Sequence, residues 1–554
     1  MGTDSRPESS AQPFRIRAGQ RAKTPACQTH CPIGGDIRGW LCILSQHHKL
    51  GLSLEQACDR AWEKLVQLNP FPATLGRICP HPCERGCSRT AKDGAVCINA
   101  VERFLGDWGT ARQLPLPKIL GRNCTESVGV IGAGPAGMSF AYQMSRRGYP
   151  VTIYEKTELP GGMLRHAIPD YRLPRGVLDA EIQRILDLQI SLVPGIEAGD
   201  DISFAELRAR HRVLFLGMGA QAARQLGVAG EAGPGVLSAI EYLARRKQGI
   251  GGGLGKRVMV VGGGNTAMDA ARSARRDGAE VTLLYRRRLQ EMPAVANEVQ
   301  DALAEGVRFE FLAAPQRILR DGPMVIGVEV QRMRLGEADV DGRQRTVPIP
   351  GAVAAVGADT VLAAVSQKPA WRGFGEVGPD SKWLHTKKDG KLADDTWAGG
   401  DDCGPGTAAR AIAQGRLAAE AAHAELRGEA PSRGQQARPA VEPASVRPDY
   451  YEVLPRGGTR RRPMERWLAE PEVEIEQTLG REQASREAAR CMSCGLCFGC
   501  QQCFMYCNAG GFTRVEEPEP GRYYALALES CEGCGKCIEL CPCGYLEPRE
   551  GAVA

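Results

Sequence analysis

The cysteines of this chain of 554 residues lie in two blocks that are far apart in the sequence. Of its 21 cysteines, eight fall between Cys27 and Cys97, eleven fall between Cys491 and Cys543, and two fall in the long middle region. The polar N-terminus shows no apolar core of an export signal, and a chain without such a signal rarely keeps disulfides. So many cysteines then indicate metal or redox chemistry. The arrangement predicts a metal-binding region at each end and a different kind of domain between them.

Composition and charge exclude several classes of protein. Apolar residues make up 43% and charged residues 24% of the chain, which is the balance of a globular protein and not of a disordered or fibrous one. No window approaches about 18 uninterrupted apolar residues, so we expect no membrane span. The net charge of +5 is small for this length and does not favour nucleic-acid binding. We expect a cytoplasmic protein.

The cysteine-poor middle contains a glycine-rich loop of the dinucleotide-binding type. An apolar run at 128–131 leads into Gly132-x-Gly134-x-x-Gly137, a helical pattern follows, and the next predicted strand ends in Glu155. The glycines permit a tight turn and close approach to a pyrophosphate, and the helix N-terminus stabilises its charge. A carboxylate at the end of the second strand can accept hydrogen bonds from an adenosine ribose.

A second loop of the same type has different specificity residues. It reads Gly262-x-Gly264-x-x-Ala267, and the strand that follows ends in Tyr285, with arginines instead of an acid at 286–288. Arginines at this point favour a 2′-phosphate and hence NADP(H), although a solvated strand end is the alternative and leaves NAD(H) open. Two loops need two ligands, so we expect FAD on the first loop and NAD(P)H on the second, with hydride passing between them.

The last cysteine block matches the two halves of a bacterial ferredoxin. In this pattern the fourth cysteine of each C-x2-C-x2-C-x3-C run binds the cluster of the other run. The expected ligands are Cys497, Cys500, Cys503 and Cys541 for one [4Fe-4S] cluster, and Cys531, Cys534, Cys537 and Cys507 for the other. Zinc is the weaker alternative. Cys491, Cys494 and Cys543 are left over, and a frame that starts at Cys491 ranks second.

Several stretches over roughly 20–425 resemble the small-subunit-type flavoproteins of glutamate synthase, whose relatives include the flavin domain of dihydropyrimidine dehydrogenase. These stretches are CPIGGDI, GRICPHPCERGC, VIGAGPAG, LPGGMLRHAIPDYRLP, VVGGGNTAMD, YRRRLQEMP and WAGGDDCGPGTAARAIAQG. The resemblance implies an FAD site made by Gly132, Gly134, Gly137, Glu155, Gly162, Arg165, Asp401, Gly406 and Thr407. It implies an NAD(P)H site made by Gly262, Gly264, Asn265, Thr266, Arg286 and Arg287, with Glu291 and Glu298 near the nicotinamide. Ser366 stands where the family usually has glycine.

The same resemblance implies an iron–sulfur site in the first cysteine block. Its ligands would be Cys31, Cys79, Cys83 and Glu102, with Cys87 as the alternative to Glu102. The relatives hold a second cluster there, to whose ligands Cys27 and Cys87 correspond, together with a CxxC pair ahead of the position of Cys27. This chain has no cysteine before Cys27, so Cys27 and Cys87 are left without that pair. We therefore expect one cluster in this block, and three in the whole chain. Cys42, Cys58 and Cys97 are expected to be small buried residues.

The sequence predicts an α/β protein in which two interleaved Rossmann-like domains are flanked by a helical N-terminal iron–sulfur domain and a C-terminal ferredoxin domain. The expected boundaries are 1–120 for the N-terminal domain, 121–235 with 365–428 for FAD, 236–364 for NAD(P)H, 429–485 for a linker and 486–554 for the ferredoxin. The tail resembles that of the flavoprotein that accompanies dissimilatory sulfite reductase, the DsrL type.

The expected function is that of an NAD(P)H:acceptor oxidoreductase which passes electrons through FAD and the clusters to a partner redox enzyme, in either direction. If the resemblance of the tail holds, that partner is dissimilatory sulfite reductase and the role lies in sulfur metabolism. Two alternatives stay open: a glutamate synthase small subunit with an added ferredoxin domain, and a redox sensor or scaffold without turnover.

Overall fold

The N-terminal domain is a compact set of helices. A computed structural model describes residues 16–119, 124–250, 253–338, 342–380, 382–429 and 438–549. Most of the polar N-terminus, for which no export signal is predicted, lies at 1–15 and outside the described residues. The helices of this domain span Ala26–His30, Ile37–Ser45, Leu54–Val66, Pro72–Ile78, Pro82–Arg85, Thr90–Asp93 and Ile98–Ala111. Ser53 and Gln56 form a capping box at the start of the third helix, which fixes where that helix begins.

The first α/β domain is built on a six-stranded sheet. The strands run in the order Lys391–Ala393, Thr396–Ala398, Val213–Leu216, Val128–Ile131, Val151–Glu155 and Ser191–Pro194, and only the first is antiparallel to its neighbour. Its helices are Pro135–Ser145, Met163–His166, Arg175–Leu186, Phe204–Arg210 and Ala408–Arg427. The central strands are buried along their whole length, as expected of a parallel sheet covered on both faces.

The second α/β domain is inserted between two strands of the first. Its parallel sheet has the strand order Arg308–Phe311, Glu280–Tyr285, Arg257–Val261, Thr360–Ala363 and Val236–Ser238. Its helices are Ala239–Lys247, Asn265–Arg276 and Ala296–Ala304. An antiparallel sheet of Ala313–Asp321, Met324–Ala338 and Gln344–Gly357 extends it. The predicted fold class, with two interleaved α/β domains behind a helical N-terminal domain, is confirmed.

The stretch that the sequence predicts to be a linker is packed against other domains over its described part. Residues 438–480 contain only the short helix Glu465–Ala469 and two single turns, yet Trp467 is buried with Tyr171 and Ile475. Arg461 also pairs with Asp301 of the second α/β domain at 2.6 Å. This part of the chain is therefore a strap over the surface of the α/β domains, and the helix Arg481–Ala489 follows it. Residues 430–437 of the predicted linker lie outside the described part.

The tail returns to the beginning of the chain. It contains the short helices Gln502–Met505 and Lys536–Leu540 and the hairpin Phe512–Glu519 with Arg522–Leu526. Its last strand, Leu546–Pro548, pairs antiparallel with Ala18–Gln20. The two cysteine blocks are thereby brought together. No helix among the described residues is long and apolar enough to cross a membrane.

Candidate functional site

One cavity of about 450 Å³ lies between the two α/β domains and is bounded by both glycine-rich loops. Of the residues predicted to bind FAD or NAD(P)H, nine line it: Gly132, Gly134, Glu155, Gly162, Asp401, Gly406, Thr407, Asn265 and Thr266. Residues from both predicted sites thus face the same space. This is the arrangement that hydride transfer between two bound cofactors requires.

The glycines of the first loop have distinct physical roles. Gly132 has φ +96°, and a Cβ there would lie 2.3 Å from the carbonyl oxygen of Gly217. A Cβ on Gly137 would lie 2.0 Å from the carbonyl oxygen of Gly132, so this glycine permits close packing of the helix on the strand. A Cβ on Gly134 would meet no protein atom within 4 Å. Gly134 therefore leaves room in the cavity itself, which fits a pyrophosphate at the N-terminus of the helix Pro135–Ser145.

The second loop repeats this geometry. Gly262 has φ +146°, and a Cβ there would lie 2.4 Å from the carbonyl oxygen of Ala364, whereas a Cβ on Gly264 would meet nothing within 4 Å. The side chain of Asn265 accepts a hydrogen bond from the backbone N–H of Val295 at 2.9 Å, which ties the loop to the segment after the next strand. Gly262 and Gly264 do not line the cavity, which begins at Asn265 on this side.

Glu155 ends its strand as predicted and is buried at the cavity wall. Its carboxylate accepts hydrogen bonds from the backbone N–H of Ala133 at 2.7 Å and from the N–H and hydroxyl of Thr157 at 2.9 and 2.8 Å. The acid therefore fixes the conformation of the glycine loop and stands beside the place where a ribose would lie. Its partners lie in the loop and directly after the strand, so the local sequence determines this position.

Several predicted residues lie away from the cavity. Arg165 donates to the carbonyl oxygen of Pro160 and to Asp179, and so it braces its own turn. Arg287 donates to the carbonyl oxygen of Gln344 at 3.0 Å, while Arg286 is exposed at the end of its strand.

The two acids expected at the nicotinamide end also lie elsewhere. Glu291 pairs with Arg288 at 2.6 Å on the surface. Glu298 pairs with Arg172 at 3.1 Å and with Arg272, inside a buried ion network that joins the helices of the second α/β domain. Neither acid lines the cavity, and its wall is formed instead by the pair of Arg172 and Asp269, at 2.7 Å. The role expected for Glu291 and Glu298 stays a prediction, and nearer arginines hold both of them.

Two consecutive aspartates stand at the opposite side, where Asp401 lines the cavity and Asp402 is buried behind it. Asp401 accepts a hydrogen bond from the N–H of Gly406 at 2.9 Å and lines the cavity beside the N-terminus of the helix Ala408–Arg427. Asp402 is fully buried and accepts hydrogen bonds from the backbone N–H groups of Met218, at 3.0 Å, and of Gly219. Burial raises the pKa of Asp402 to about 7.

Sequence reasoning missed Asp402, although it shares the GGDD turn with Asp401. Its role is to hold Met218 and Gly219, which both line the cavity, in position. Ser366 also lines the cavity and has φ +91°, a conformation that favours glycine. This conformation fits the glycine that the resemblance implies at this position.

The predicted ligands of the N-terminal cluster surround a second cavity, of about 30 Å³. Cys31, Cys79, Cys83 and Glu102 all line it. Burial is the main cause that raises the pKa of the Cys79 thiol to about 12 and that of the Glu102 carboxyl to about 8. Glu102 also accepts a hydrogen bond from Asn69 at 2.8 Å. Three thiols and a carboxyl that face one space are a donor set for iron.

This second cavity shares a wall with the first. Leu75, Cys79 and Ala409 line both of them. Cys79 therefore stands between the space expected to hold flavin and the space expected to hold a cluster. Cys87, the alternative to Glu102, does not line the second cavity and lies on a third one. Glu102 is the residue that the structure places with the three cysteines.

The tail brings one of its two predicted ligand sets to a single cavity. Cys497, Cys500, Cys503 and Cys541 line one cavity, together with the left-over Cys543. Burial, followed by the thiols of Cys531, Cys534 and Cys507, raises the pKa of Cys537 to about 11. No three described His, Cys, Asp or Glu side chains converge on a single metal ion. Each ligand of a [4Fe-4S] cube binds a different iron, so the donors of a cluster stand further apart than those of one ion.

Comparison with known proteins gives two matches to family models. Residues 126–415, just over half of the chain, match the pyridine nucleotide-disulphide oxidoreductase family. Residues 17–114 match the 4Fe-4S domain II of dihydropyrimidine dehydrogenase. The first match covers both glycine loops and the GGDD turn, and the second covers the cysteines at 27–97.

Three individual relatives differ in how much of their own length this chain covers. The NADPH-Fe(3+) oxidoreductase subunit beta of Geobacter sulfurreducens is 39% identical over 62% of this chain and 51% of its own length. The glutamate synthase [NADPH] small chain of Azospirillum brasilense is 35% identical over 73% of this chain and 87% of its own. The putative oxidoreductase YgfK of Escherichia coli K12 is 30% identical over 93% of this chain and 48% of its own. The chain thus spans about half the length of the first and third of these relatives.

Proposed function

The chain belongs to the pyridine nucleotide-disulphide oxidoreductase family, with a 4Fe-4S domain ahead of it, and on this premise we propose that it is an NAD(P)H:acceptor oxidoreductase. It would bind FAD on the loop at 132–137 and NAD(P)H on the loop at 262–267, and deliver electrons to a partner redox enzyme through its iron–sulfur sites. A bound flavin converts two-electron hydride transfer into single-electron transfer, and clusters carry single electrons. The chain's own residues supply the positions, the shielding from water and the route.

The observation that carries this proposal is the wall shared by the first two cavities. Cys79 lines both, so the nearest predicted cluster ligand belongs to the flavin cavity itself. Leu75 and Ala409 complete the wall with apolar atoms, which keep water out of the gap. A sensor or scaffold does not need this contact, and it also does not need a second nucleotide loop on the same cavity.

Electrons would leave the chain at the tail cluster whose predicted ligands include Cys507 and Cys534. Among its ligands Cys534 is exposed, and next to Cys507 the side chains of Met505 and Tyr506 are 67% and 50% exposed. Exposed apolar and aromatic residues beside a cluster ligand suit transient docking of a redox partner. The resemblance of the tail to the DsrL type supports dissimilatory sulfite reductase as that partner. An amidotransferase subunit that copurifies with the chain would instead favour the glutamate synthase assembly.

The experiment that tests the proposal is an anoxic titration of the purified full chain with NADPH and then with NADH. Flavin absorbance and the electron paramagnetic resonance (EPR) signals of reduced clusters are followed together. We expect flavin bleaching followed by cluster signals. If the flavin bleaches without cluster signals, the electrons flow in the reverse direction and a reduced partner should generate NAD(P)H. If neither changes, the oxidoreductase proposal is wrong and the sensor alternative takes its place.

The nucleotide preference can be tested at the end of the strand Glu280–Tyr285. Arg286 is exposed there, whereas Arg287 is engaged by Gln344 and Arg288 by Glu291. We propose NADPH as the better donor, with Arg286 on its 2′-phosphate. Arg286→Ala should raise KM for NADPH roughly 10–100-fold, the loss of one charge-assisted contact, and leave KM for NADH unchanged. Arg288→Ala is the matched control and should change neither, and equal changes for both nucleotides would contradict the assignment.

A further inference from the structure

A third cavity is lined by four cysteines that no site described above uses. Cys27 and Cys87 come from the N-terminal domain, and Cys491 and Cys494 come from the start of the tail. Its volume, about 30 Å³, equals that of the cavity around Cys31, Cys79 and Cys83. Cys491 and Cys494 form a CxxC pair, the element that the sequence lacks ahead of Cys27.

From this geometry we propose that Cys27, Cys87, Cys491 and Cys494 hold a fourth [4Fe-4S] cluster, whose ligands come from the two ends of the chain. The CxxC pair of the tail takes the place of the missing upstream pair. The chain then carries four clusters, one more than the cysteine spacing predicts. The place of this cluster in electron transfer rests on the proposed function, whereas its existence does not.

The tail is fixed in this position by buried arginines. Arg490, directly before Cys491, donates to Asp93 at 3.0 Å, to Glu487 at 2.7 Å and to the carbonyl oxygen of Ala95 at 2.9 Å. Arg89 donates to the carbonyl oxygen of Arg490 at 2.6 Å. Arg490 is 99% buried and Arg89 is 98% buried. Protein contacts alone therefore hold the peptide that leads into the CxxC pair on the N-terminal domain.

The residues around the pair also connect the two ends. The N–H of Lys23 donates to the carbonyl oxygen of Gly495 at 2.9 Å, and its ammonium donates to the carbonyl oxygen of Gly544 at 2.8 Å. The thiol of Cys494 lies 3.5 Å from the hydroxyl of Ser88, next to Cys87. The position of Cys494 is thus set by contacts on both of its sides, and Ser88 and Arg89 connect the segment after Cys87 to it.

Arg38 shows that the cavity suits an anionic group. Its side chain lines the cavity and is 98% buried, and its Nη1 donates to the carbonyl oxygens of Lys23, at 2.7 Å, and of Cys494. Its Nε–H has no hydrogen-bond partner among the described residues. A buried guanidinium with a free donor beside four thiols is complementary to a cluster with four thiolates, whose net charge is negative and whose sulfides accept hydrogen bonds.

The fourth cluster would stand between the N-terminal and the tail sites. Ile98 lines both its cavity and the cavity of Cys31. On the other side, Cys494 lies three residues from Cys497, which lines the first cavity of the tail. The proposed cluster therefore closes the gap between the flavin-proximal site and the ferredoxin-like tail.

The test is a count of iron and acid-labile sulfide in the full chain purified without oxygen. We expect about 16 iron atoms per chain, against about 12 for three clusters. The double variant Cys491→Ser with Cys494→Ser should lose four irons, while Cys58→Ser, a buried thiol that lines none of the four cavities, should lose none. A wild-type count of about 12, an unchanged count in the double variant, or one zinc atom in place of four irons would each overturn the proposal.

A second variant keeps the proposal testable if the double variant does not fold. Arg38→Gln retains all four cysteines and removes the positive charge beside the proposed cluster. Because reduction makes a cluster more negative, one EPR signal should titrate at a lower midpoint potential while the others stay unchanged. Unchanged midpoints for all signals would overturn the proposal. Dithionite can serve as the reductant, so a failure of NADPH to reduce the protein affects the proposed function and not this result.

Discussion

Ser366 is a residue whose backbone conformation is unfavourable for its own side chain. It has φ +91° at the edge of the large cavity. Such conformations cost about 1–3 kcal/mol for a residue other than glycine. Replacement by glycine removes this cost but increases the entropy of the unfolded chain by about 0.5–1 kcal/mol, so the net gain should be on the order of 1 kcal/mol.

We therefore expect Ser366→Gly to raise the midpoint of thermal unfolding by a few degrees at most. Ser366→Ala is the matched control, since it removes the hydroxyl and keeps the strained conformation. It should show no gain. Differential scanning calorimetry of the flavin-bound protein measures both variants, and an equal gain in both would show that the hydroxyl, and not the backbone, is responsible.

Asp402 makes the stability of the protein depend on pH. Burial raises its pKa from 3.8 to about 7. The native state then binds the proton more tightly than the unfolded state does, so this contribution to stability is complete below pH 4 and is lost as the pH rises through about 7. Relative to that of Asp402→Asn, the free energy of unfolding of the wild type should fall by on the order of 2 kcal/mol between pH 5 and pH 8.

The measurement is the free energy of unfolding of both proteins across that range of pH. Comparison with Asp402→Asn cancels the titration of the groups that do not interact with position 402, and Asp401 is the charged neighbour that does interact with it. Parallel curves for the two proteins would mean that Asp402 is ionised throughout, held by the N–H groups of Met218 and Gly219.

Single residues were predictable where their partners are close in sequence. Gly132 and Glu155 belong to one strand–loop–helix–strand unit, and the structure places both on the cavity. Asp402 was not predictable, because its partners Met218 and Gly219 lie in a different part of the chain and contribute only backbone N–H groups. The ion pairs of Glu298 were not predictable for the same reason: the arginines that hold it come from other helices and turns.

At the scale of elements, two helices of the first α/β domain approach each other unusually closely. A Cβ on Gly415 would lie 2.1 Å from the carbonyl oxygen of Ala136. These residues belong to the helices Ala408–Arg427 and Pro135–Ser145, whose N-terminal ends both reach the large cavity. The run of alanines in the longer helix serves the same close packing.

We expect Gly415→Ala to destabilise the protein by about 1–3 kcal/mol and to lower its content of bound flavin, because the helices must separate. The matched control is Gly176→Ala in the helix Arg175–Leu186, where a Cβ would meet nothing within 4 Å. That variant should be neutral or slightly more stable, since alanine favours a helix. Flavin released by heat, measured per chain, reports the difference. Full flavin content in Gly415→Ala would contradict the prediction, because it would show that the two helices can separate without loss of flavin.

The sequence predicts regular elements better than irregular ones. Strand, loop and helix follow local periodicity, so both Rossmann-like units were found. Helical patterning from Met464 predicted the helices Glu465–Ala469 and Arg481–Ala489. The part of the strap before Met464 has no such pattern, and its polar groups are satisfied by other domains: Arg89 donates to the carbonyl oxygen of Glu452, and the N–H of Leu454 donates to Asp93. Nothing within the strap reveals these partners, so it reads as a linker.

The whole molecule arranges its cysteine-lined cavities in series. The flavin cavity shares Cys79 with the first of them, this one shares Ile98 with the second, and the second is joined through Cys494 and Cys497 to the tail. Cysteine spacing predicted the tail sites, because their ligands are local. It could not predict the site formed by Cys27 and Cys491, because that site exists only when the ends of the chain meet.

If electrons pass through the cavities in series, a change in the cysteine-lined cavity next to the flavin should slow reduction of the other clusters without slowing reduction of the flavin. Glu102→Ala removes the one carboxyl from the donor set that contacts the flavin cavity through Cys79. NADPH should still bleach the flavin at the wild-type rate, because Glu102 does not line that cavity. Reduction of the remaining clusters should slow at least tenfold, a barrier increase of about 1.4 kcal/mol or more.

Anoxic stopped-flow absorbance resolves the two phases, and an iron count shows whether the first site is lost or only altered. The control is Glu63→Ala, an exposed glutamate of the same domain, which should leave both phases unchanged. Glu102→Cys restores a ligand to the site and should recover part of the rate. If the tail clusters are reduced at the wild-type rate although the first site has lost its iron, electrons reach them by another route, and the shared wall at Cys79 is not the path.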